Sequence, residues 1–169
     1  GLYSITFSNE VAIDAENAEA YTAFRSEAAE HSMRHFLEVF NPAFDIRLND
    51  EPDIGAFINA NIVRTLAGVM EAHHPLFLKL QYNGARALEE LASFDPSLVV
   101  GVLGGGAGTA RDTFELIYQA ERYGGRLALF GRKINLAEAP LEIIRLMRAV
   151  ADGTILPAEA VRSYHASLK

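Results

Sequence analysis

A single lysine, Lys79, interrupts an apolar run between Leu76 and Gly84 that reads LFLKLQYNG. The run has the pattern of a buried strand, and burying an ammonium costs free energy unless it is paired with an anion or loses its proton. Lys79 is therefore predicted to be one of two things. It is either the partner in a structural ion pair or a nucleophile, because a neutral lysine amine attacks carbonyl carbons.

Glu38 is the carboxylate that strand alternation places on the same side as Lys79. Successive side chains of a strand point to opposite faces, so Leu78 and Leu80 would face covering helices and Lys79 would face away from them. One lysine, one carboxylate and several hydroxyls are expected to converge there, either as a buried structural pair or as a functional site. The set predicted to share this face is Ser4, Thr6, Ser8, Phe36, Glu38, Phe40, Phe77, Lys79 and Gln81.

Two glycine-containing motifs could bind a phosphate. The stretch GGGAG, residues 104–108, precedes a predicted helix, and free amide groups at a helix N-terminus suit phosphate, although a tight turn is the alternative. The stretch Gly131-Arg132-Lys133 follows the last predicted strand, and its arginine would hold phosphate oxygens in a forked geometry. Neither motif has the spacing of a dinucleotide fingerprint or a Walker loop. The predicted phosphate-binding residues are Gly104, Gly105, Gly106, Gly131 and Arg132.

No metal site and no cofactor are expected. His73 and His74 are adjacent, so they would point apart at a helix end. His31 and His35 have a spacing that suits ligands on a helix, but they lie where the helix should give way to a strand. The chain has no cysteine, which excludes disulfides and thiolate ligands.

Five strands alternating with helices are predicted to position these residues, and alternation of this kind is typical of a parallel sheet. Asp14, Asp53 and Thr109 are predicted to cap the helices that follow them. The predicted strands are 2–8, 35–40, 76–80, 98–103 and 127–130. The predicted helices cover about 15–32, 54–72, 85–93, 110–123 and 140–152, with a last one from about 157.

The order of elements predicts an α/β fold, with an open doubly wound sheet or part of a (βα)8 barrel as the two possibilities. A closed barrel of this kind typically needs about 250 residues, whereas the chain has 169 and begins directly in a strand without methionine. We therefore expect residues 1–169 to form a single partial-barrel domain. It would hold strands four to eight, the C-terminal portion of a longer protein, and a C-terminal helix.

Charge and hydropathy narrow the classes of partner. The formal charge is −7 and no basic stripe is present, so nucleic acid is not an expected partner. No apolar run approaches the roughly 20 residues that span a bilayer, and no signal peptide is visible. No membrane partner is expected, and the default location is the cytoplasm.

The runs LFLKLQYNG, VVGVLGGGAG and ALFGRKI resemble the C-terminal half of the archaeal-type class I fructose-bisphosphate aldolase family, from about Phe36 onward. The resemblance implies a (βα)8 barrel whose sixth strand carries a Schiff-base lysine in a K-x-x-Y-x-G context. Here that lysine is Lys79, with Tyr82 and Gly84 at the matching positions. It also implies that the seventh and eighth strands end in phosphate-binding loops, matched by residues 104–106 and by Gly131-Arg132.

Two positions depart from the family pattern. The family has a tyrosine acid–base near the end of the fifth strand, where this chain reads LEVFNP, with Phe40 at the corresponding position and Glu38 nearby. Lys133 replaces the asparagine of the family's G-R-N motif. The predicted activity is a Schiff-base lyase reaction on a phosphorylated sugar or related carbonyl compound, with Lys79 as nucleophile and Glu38 as proton carrier.

This prediction has two alternatives, and one further expectation concerns assembly and partners. The full-length protein is expected to be a homo-oligomer that binds a phosphorylated small molecule. The first alternative is a non-catalytic barrel that binds sugar phosphates. The second is an inactive fragment, expected to associate or to be poorly soluble because a sheet of five strands has two unpaired edges.

Overall fold

A five-stranded parallel sheet forms the centre of the computed structural model, which describes residues 1–43, 53–105 and 108–168. Each strand pairs in parallel with the next one along the chain. The order is sequential and never reverses, unlike the order of a doubly wound sheet. The strands are β1 (Leu2–Thr6), β2 (Phe36–Phe40), β3 (Leu78–Leu80), β4 (Val100–Leu103) and β5 (Leu127–Leu129).

Helices follow every strand, as the alternation in the sequence predicted. Two predicted caps are confirmed. Asp53 Oδ1 accepts a hydrogen bond from the Ala56 amide at 3.0 Å, and Thr109 Oγ1 accepts one from the Asp112 amide at 3.3 Å. The helices are α1 (Val11–Glu30), α2 (Ile54–Leu66), α3 (Ala85–Phe94), α4 (Ala110–Arg122), α5 (Arg132–Asn135), α6 (Pro140–Ala151) and α7 (Pro157–Ser167).

Asp14 does not cap the first helix, because α1 begins three residues before it. Its carboxylate instead accepts hydrogen bonds from the Ser8 amide at 2.7 Å, the Ser8 hydroxyl at 2.9 Å and the Asn9 amide at 2.9 Å. Ser8 therefore belongs to the turn after β1, which ends at Thr6, and its hydroxyl is not presented beside that of Ser4. The second predicted helix is also shorter than expected, since α2 ends at Leu66.

The hydrophobic core lies between the sheet and its helices. Leu37, Leu78 and Val102 are fully buried, and they pack in one cluster with residues of α2 and α3 such as Ile58 and Leu91. A second cluster lies among α4, α6 and α7, centred on buried side chains such as those of Phe114 and Leu146. The other side of the sheet, which we call the Lys79 face, carries Ser4, Glu38 and Lys79. None of the helices in the described residues combines the length and apolar character needed to cross a membrane.

Candidate active site

One row of residues crosses the sheet at the level of Lys79. The parallel register pairs Ser4 with Glu38, Glu38 with Lys79, Lys79 with Gly101 and Gly101 with Leu127. Residues paired in this way on neighbouring strands project to the same face. The sheet therefore places Glu38 beside Lys79 without any bend or bulge, as strand alternation predicted.

Glu38 and Lys79 are in direct contact. Lys79 Nζ lies 2.5 Å from Glu38 Oε1, and the hydroxyl of Ser4 donates to Glu38 Oε2 at 3.1 Å. The carboxylate side chain is 8% exposed and the lysine side chain 24% exposed, so the amine is the more accessible member of the pair. The contact places a proton acceptor at the amine, and it is also the geometry of a structural ion pair.

Gly101 lies on the other side of Lys79 and was not singled out from the sequence. A Cβ atom at this position would lie 3.0 Å from the Leu127 Cβ and 3.1 Å from Leu129 Cδ1, closer than ordinary contacts. Lys79 thus has an acidic neighbour on one side, while apolar side chains crowd over the glycine on its other side. The glycine within LVVGVL was the only signal for this arrangement in the sequence.

Three side-chain amides meet at the carboxyl ends of β2 and β3. The backbone N–H of Asn41 donates a hydrogen bond to Gln81 Oε1 at 2.9 Å. The carboxamides of Asn41 and Asn83 form a reciprocal pair, with Asn41 Nδ2 donating to Asn83 Oδ1 at 2.7 Å and Asn83 Nδ2 donating to Asn41 Oδ1 at 3.1 Å. Active sites of parallel barrels lie at this end of the strands. Sequence reasoning placed Gln81 on this face but gave no role to either asparagine.

The aromatic residues near Lys79 do not supply an acid–base hydroxyl on the Lys79 face. Tyr82 packs against the core cluster on the helix side of the sheet, and burial raises the pKa of its phenol. Phe40 ends β2, at the position where the resemblance implies a tyrosine, and its side chain is half-exposed. Glu38 is therefore the proton acceptor that the described residues bring to Lys79.

Gly104 and Gly105 have different local structures although they are adjacent. The Gly104 amide donates to the Leu129 carbonyl at 2.9 Å, and a Cβ atom there would overlap the ring of Phe130. Gly105 has a φ of +59° and open space around it. Gly104 thus extends the sheet pairing, whereas a Cβ atom at Gly105 would meet no atom of the described residues within 4 Å. The third predicted glycine, Gly106, lies outside the described residues.

The two predicted phosphate loops are joined by Lys133, whose ammonium donates to the Gly108 carbonyl. Gly131 directly precedes the short helix α5 and has nothing within 4 Å of its Cβ position. Arg132 is exposed and forms no hydrogen bond or ion pair with the described residues. It lines a cavity of about 260 Å³ together with Lys133 and Tyr164.

The N-terminus of α4 is already occupied by an acidic side chain. Asp112 Oδ2 accepts hydrogen bonds from the Thr109 amide at 2.6 Å and the Thr109 hydroxyl at 2.8 Å. These bonds hold the pKa of the Asp112 carboxyl below its usual range, and the nearby charge of Lys133 acts in the same direction. A phosphate between the loops would therefore depend on side-chain cations rather than on this helix end. The described residues contain no cluster of three or more metal-ligating side chains.

Comparisons with known proteins agree with the predicted fold. No protein-family model and no curated protein matches the sequence. Among solved structures, an archaeal fructose 1,6-bisphosphate aldolase has a TM-score of 0.69 at 14% identity, covering 90% of this chain and 57% of that chain. A Schiff-base-forming fructose-1,6-bisphosphate aldolase has a TM-score of 0.66 at 16% identity, covering 89% and 56%.

A third solved structure, fructose-bisphosphate aldolase from Slackia heliotrinireducens, has a TM-score of 0.63 at 14% identity, covering 98% of this chain and 52% of that chain. The chain therefore spans about half the length of the structures it resembles. The fold is that of a partial α/β barrel of the kind found in class I aldolases. The predicted fold class and the predicted resemblance are confirmed at this level.

Proposed function

We propose that this chain carries the Schiff-base lysine of an aldolase-type carbon–carbon lyase, with Lys79 as the nucleophile and Glu38 as the proton carrier. The observation that carries the proposal is the 2.5 Å contact between Lys79 Nζ and Glu38 Oε1 on the Lys79 face. The likeness to aldolase structures, one of them described as Schiff-base-forming, supports it at the level of the fold.

The first half of the reaction forms the imine. Glu38 accepts a proton from the Lys79 ammonium, and the free amine adds to the carbonyl carbon of the substrate. The protonated Glu38 returns that proton to the hydroxyl of the resulting carbinolamine, which leaves as water. The product is a protonated imine, whose nitrogen can accept an electron pair.

The second half breaks a carbon–carbon bond. Glu38, again ionised, takes the proton of the hydroxyl on the β-carbon, and the electrons of the bond between the α- and β-carbons move to the imine nitrogen. An aldehyde leaves, and an enamine remains on Lys79. Glu38 then protonates the α-carbon, and hydrolysis of the imine releases the second product and restores the amine. A single carboxylate can carry each of these protons in turn.

We propose that the substrate is a phosphorylated sugar or related carbonyl compound, held through its phosphate by Arg132. Three features support this assignment: the Arg132 guanidinium, which has no partner among the described residues, the adjacent ammonium of Lys133, and the open backbone at Gly105 and Gly131. Arginine binds phosphate oxygens through two parallel hydrogen bonds. We propose that the protein acts in sugar-phosphate metabolism in the cytoplasm.

Borohydride trapping tests the proposal. The protein is incubated with dihydroxyacetone phosphate or fructose 1,6-bisphosphate and reduced, and the adduct is mapped by peptide mass spectrometry. The chain has three lysines, and Lys169 is the internal control because Lys133 lies beside the proposed phosphate site. We expect the adduct on Lys79, its loss in Lys79→Met, and its retention with slow turnover in Glu38→Gln. An adduct distributed over all three lysines, or none, would contradict the mechanism.

A second candidate function is favoured by Phe40, which offers no hydroxyl where the aldolase pattern has a tyrosine. Under this alternative the protein binds sugar phosphates without converting them. Calorimetric titration with fructose 1,6-bisphosphate separates the two functions. A pure binding protein would retain its affinity in Lys79→Ala and lose it in Arg132→Ala, and it would show no trapped adduct on Lys79.

A further inference from the structure

We infer that Gln81 is a specificity-determining residue of the proposed reaction, and that it binds the hydroxyl oxygen on the carbon next to the Schiff-base carbon. The inference rests on the proposed function, because it requires a Schiff base on Lys79. Nothing in the Lys79–Glu38 pair itself selects for a hydroxyl at that position.

Gln81 lies one residue beyond the end of β3, and its position follows from an alternation of sides that continues past the strand. Leu78, Leu80 and Tyr82 pack into the core cluster on the helix side, which leaves Lys79 and Gln81 on the opposite side. Two residues along a strand span about 6.6 Å, so Gln81 is one step closer to the carboxyl ends of the strands. This is the end at which substrates enter parallel barrels.

The orientation of the Gln81 carboxamide is fixed by a backbone donor. The backbone N–H of Asn41 can only donate a hydrogen bond, so the Gln81 atom 2.9 Å from it must be the carboxamide oxygen. The Nε2 group is consequently directed away from Asn41. Among the residues that the structure describes, neither of its two N–H donors has a hydrogen-bond partner.

The Asn41–Asn83 amide pair holds this arrangement in place. Its two hydrogen bonds, of 2.7 and 3.1 Å, connect residues 42 positions apart and tie the loop after β2 to the loop after β3. The backbone N–H of Asn41 is thereby held against the Gln81 carboxamide before any ligand binds. A donor that is already oriented loses less conformational entropy when it binds a ligand.

The chemistry of the donor set points to an uncharged oxygen. Lys79 is consumed in forming the imine, and an ionised Glu38 can only accept hydrogen bonds. The two N–H groups of Gln81 add neutral donors on the same face, and a hydroxyl oxygen next to the imine carbon accepts from such donors. A substrate without that hydroxyl would leave these polar groups unpaired, which disfavours its binding.

The inference is tested with two small ketones that differ only in this hydroxyl, hydroxyacetone and acetone. Each is trapped on the full chain with cyanoborohydride, and the half-saturating ketone concentration is measured by intact-mass spectrometry. The half-saturating concentration of acetone is divided by that of hydroxyacetone. This ratio is normalised to the same ratio for Nα-acetyl-lysine, because hydroxyacetone is intrinsically more electrophilic. We expect the protein to favour hydroxyacetone at least tenfold beyond the free amine.

Gln81→Met keeps the size of the side chain and removes its donors. It should weaken hydroxyacetone trapping about tenfold more than acetone trapping, which brings the normalised ratio close to that of the free amine. Asn83→Ala leaves Gln81 in place but removes the amide pair, so it should lower the ratio by a smaller factor. Thermal melts of both variants separate these effects from loss of folding.

Three outcomes would overturn the inference. A normalised ratio that stays unchanged in Gln81→Met would show that the hydroxyl is not bound there, while the Schiff base itself would stand. Equal losses for both ketones in a folded Gln81→Met would mean that Gln81 supports the lysine and not the hydroxyl. The absence of any adduct on Lys79 in the unmodified protein would remove the proposed function, and the inference with it.

Discussion

Lys79 and Glu38 stand side by side on neighbouring parallel strands, with the Nζ and Oε1 atoms 2.5 Å apart. The two members of the pair differ in their access to water, because the carboxylate side chain is 8% exposed and the lysine side chain 24%. The hydroxyl of Ser4 satisfies the second carboxylate oxygen. This asymmetry has consequences for stability as well as for chemistry.

Lys79→Met should destabilise the fold more than Glu38→Gln. The first substitution leaves a nearly buried carboxylate without its cation, which we expect to cost about 1–3 kcal/mol. The second leaves an ammonium that water can still reach, and we expect less than about 1 kcal/mol. The free energy of unfolding in urea gives both values, and the double variant should cost less than their sum. Equal costs for the two single variants would contradict this account.

Gly104 is predicted to be required for packing, independently of any ligand. Its missing side chain leaves room for the ring of Phe130, so Gly104→Ala should cost about 1–3 kcal/mol of unfolding free energy. Gly131→Ala is the matched control, since its Cβ would meet nothing within 4 Å, and it should be neutral within about 0.5 kcal/mol. Combining Gly104→Ala with Phe130→Leu should recover part of the loss. Similar stabilities for Gly104→Ala and Gly131→Ala would refute the packing role.

Lys133 is predicted to strengthen phosphate binding by holding the two loops together. Its ammonium donates to the Gly108 carbonyl, and a hydrogen bond to a charged group contributes about 1.5–3 kcal/mol. Lys133→Met should therefore weaken fructose 1,6-bisphosphate binding at least tenfold in a calorimetric titration. Arg162→Met, which removes one positive charge from an exposed position on α7, is the charge-matched control. Equal losses of affinity in both variants would mean that the change in net charge alone weakens binding.

The outer edge of β5, which pairs with no strand among the described residues, is predicted to make the chain self-associate. Ala128 is exposed at this edge and lines a groove of about 560 Å³ together with Ile144 and Met147. Unpaired strand edges pair with other chains unless a charge interrupts them. Ala128→Lys should shift the molecular mass measured by light scattering toward the monomer, whereas Ala166→Lys on exposed α7 should not. A monomeric unmodified chain would rule out this association.

The fold and the Glu38–Lys79 pair could be predicted from the sequence because both depend on the short-range periodicity of side chains. Alternation within β2 and β3 placed Glu38 and Lys79 on one face, and the sequential parallel order then made them neighbours. The caps Asp53 and Thr109 were also predictable, since a capping side chain acts on amides only a few residues away.

Other features depend on contacts that no local pattern encodes. The Asn41–Asn83 amide pair joins residues from two loops, and it exists only because the strand register brings those loops together. The crowding of Gly104 by Phe130 likewise depends on how β4 and β5 end. Asp14 had the residue type of a cap, but the helix started earlier and its carboxylate served the preceding turn instead.

His35 is predicted to make the fold less stable in mild acid. Its Nε2 lies 2.9 Å from the Tyr21 hydroxyl, and burial chiefly lowers the pKa of the ring, with the α-amino group, Arg25 and Arg34 acting in the same direction. The unfolded chain takes up a proton near pH 6.5, which the folded state binds only at lower pH. The free energy of unfolding should thus be constant above about pH 6.5 and fall below it, by at most about 1.4 kcal/mol per pH unit.

Urea unfolding at pH 7.5, 6.5 and 5.5 measures this dependence, and His35→Asn should flatten it by removing the titrating ring. The carboxyl groups of Asp95 and Asp112 also have lowered pKa values, but their contribution to stability is lost only in stronger acid, below their ordinary value of 3.8. Burial raises the pKa of Tyr21 to about 12, so the hydroxyl that contacts His35 stays protonated throughout this range. An equal loss of stability between pH 7.5 and 5.5 in the unmodified protein and in His35→Asn would assign the acid sensitivity to another group.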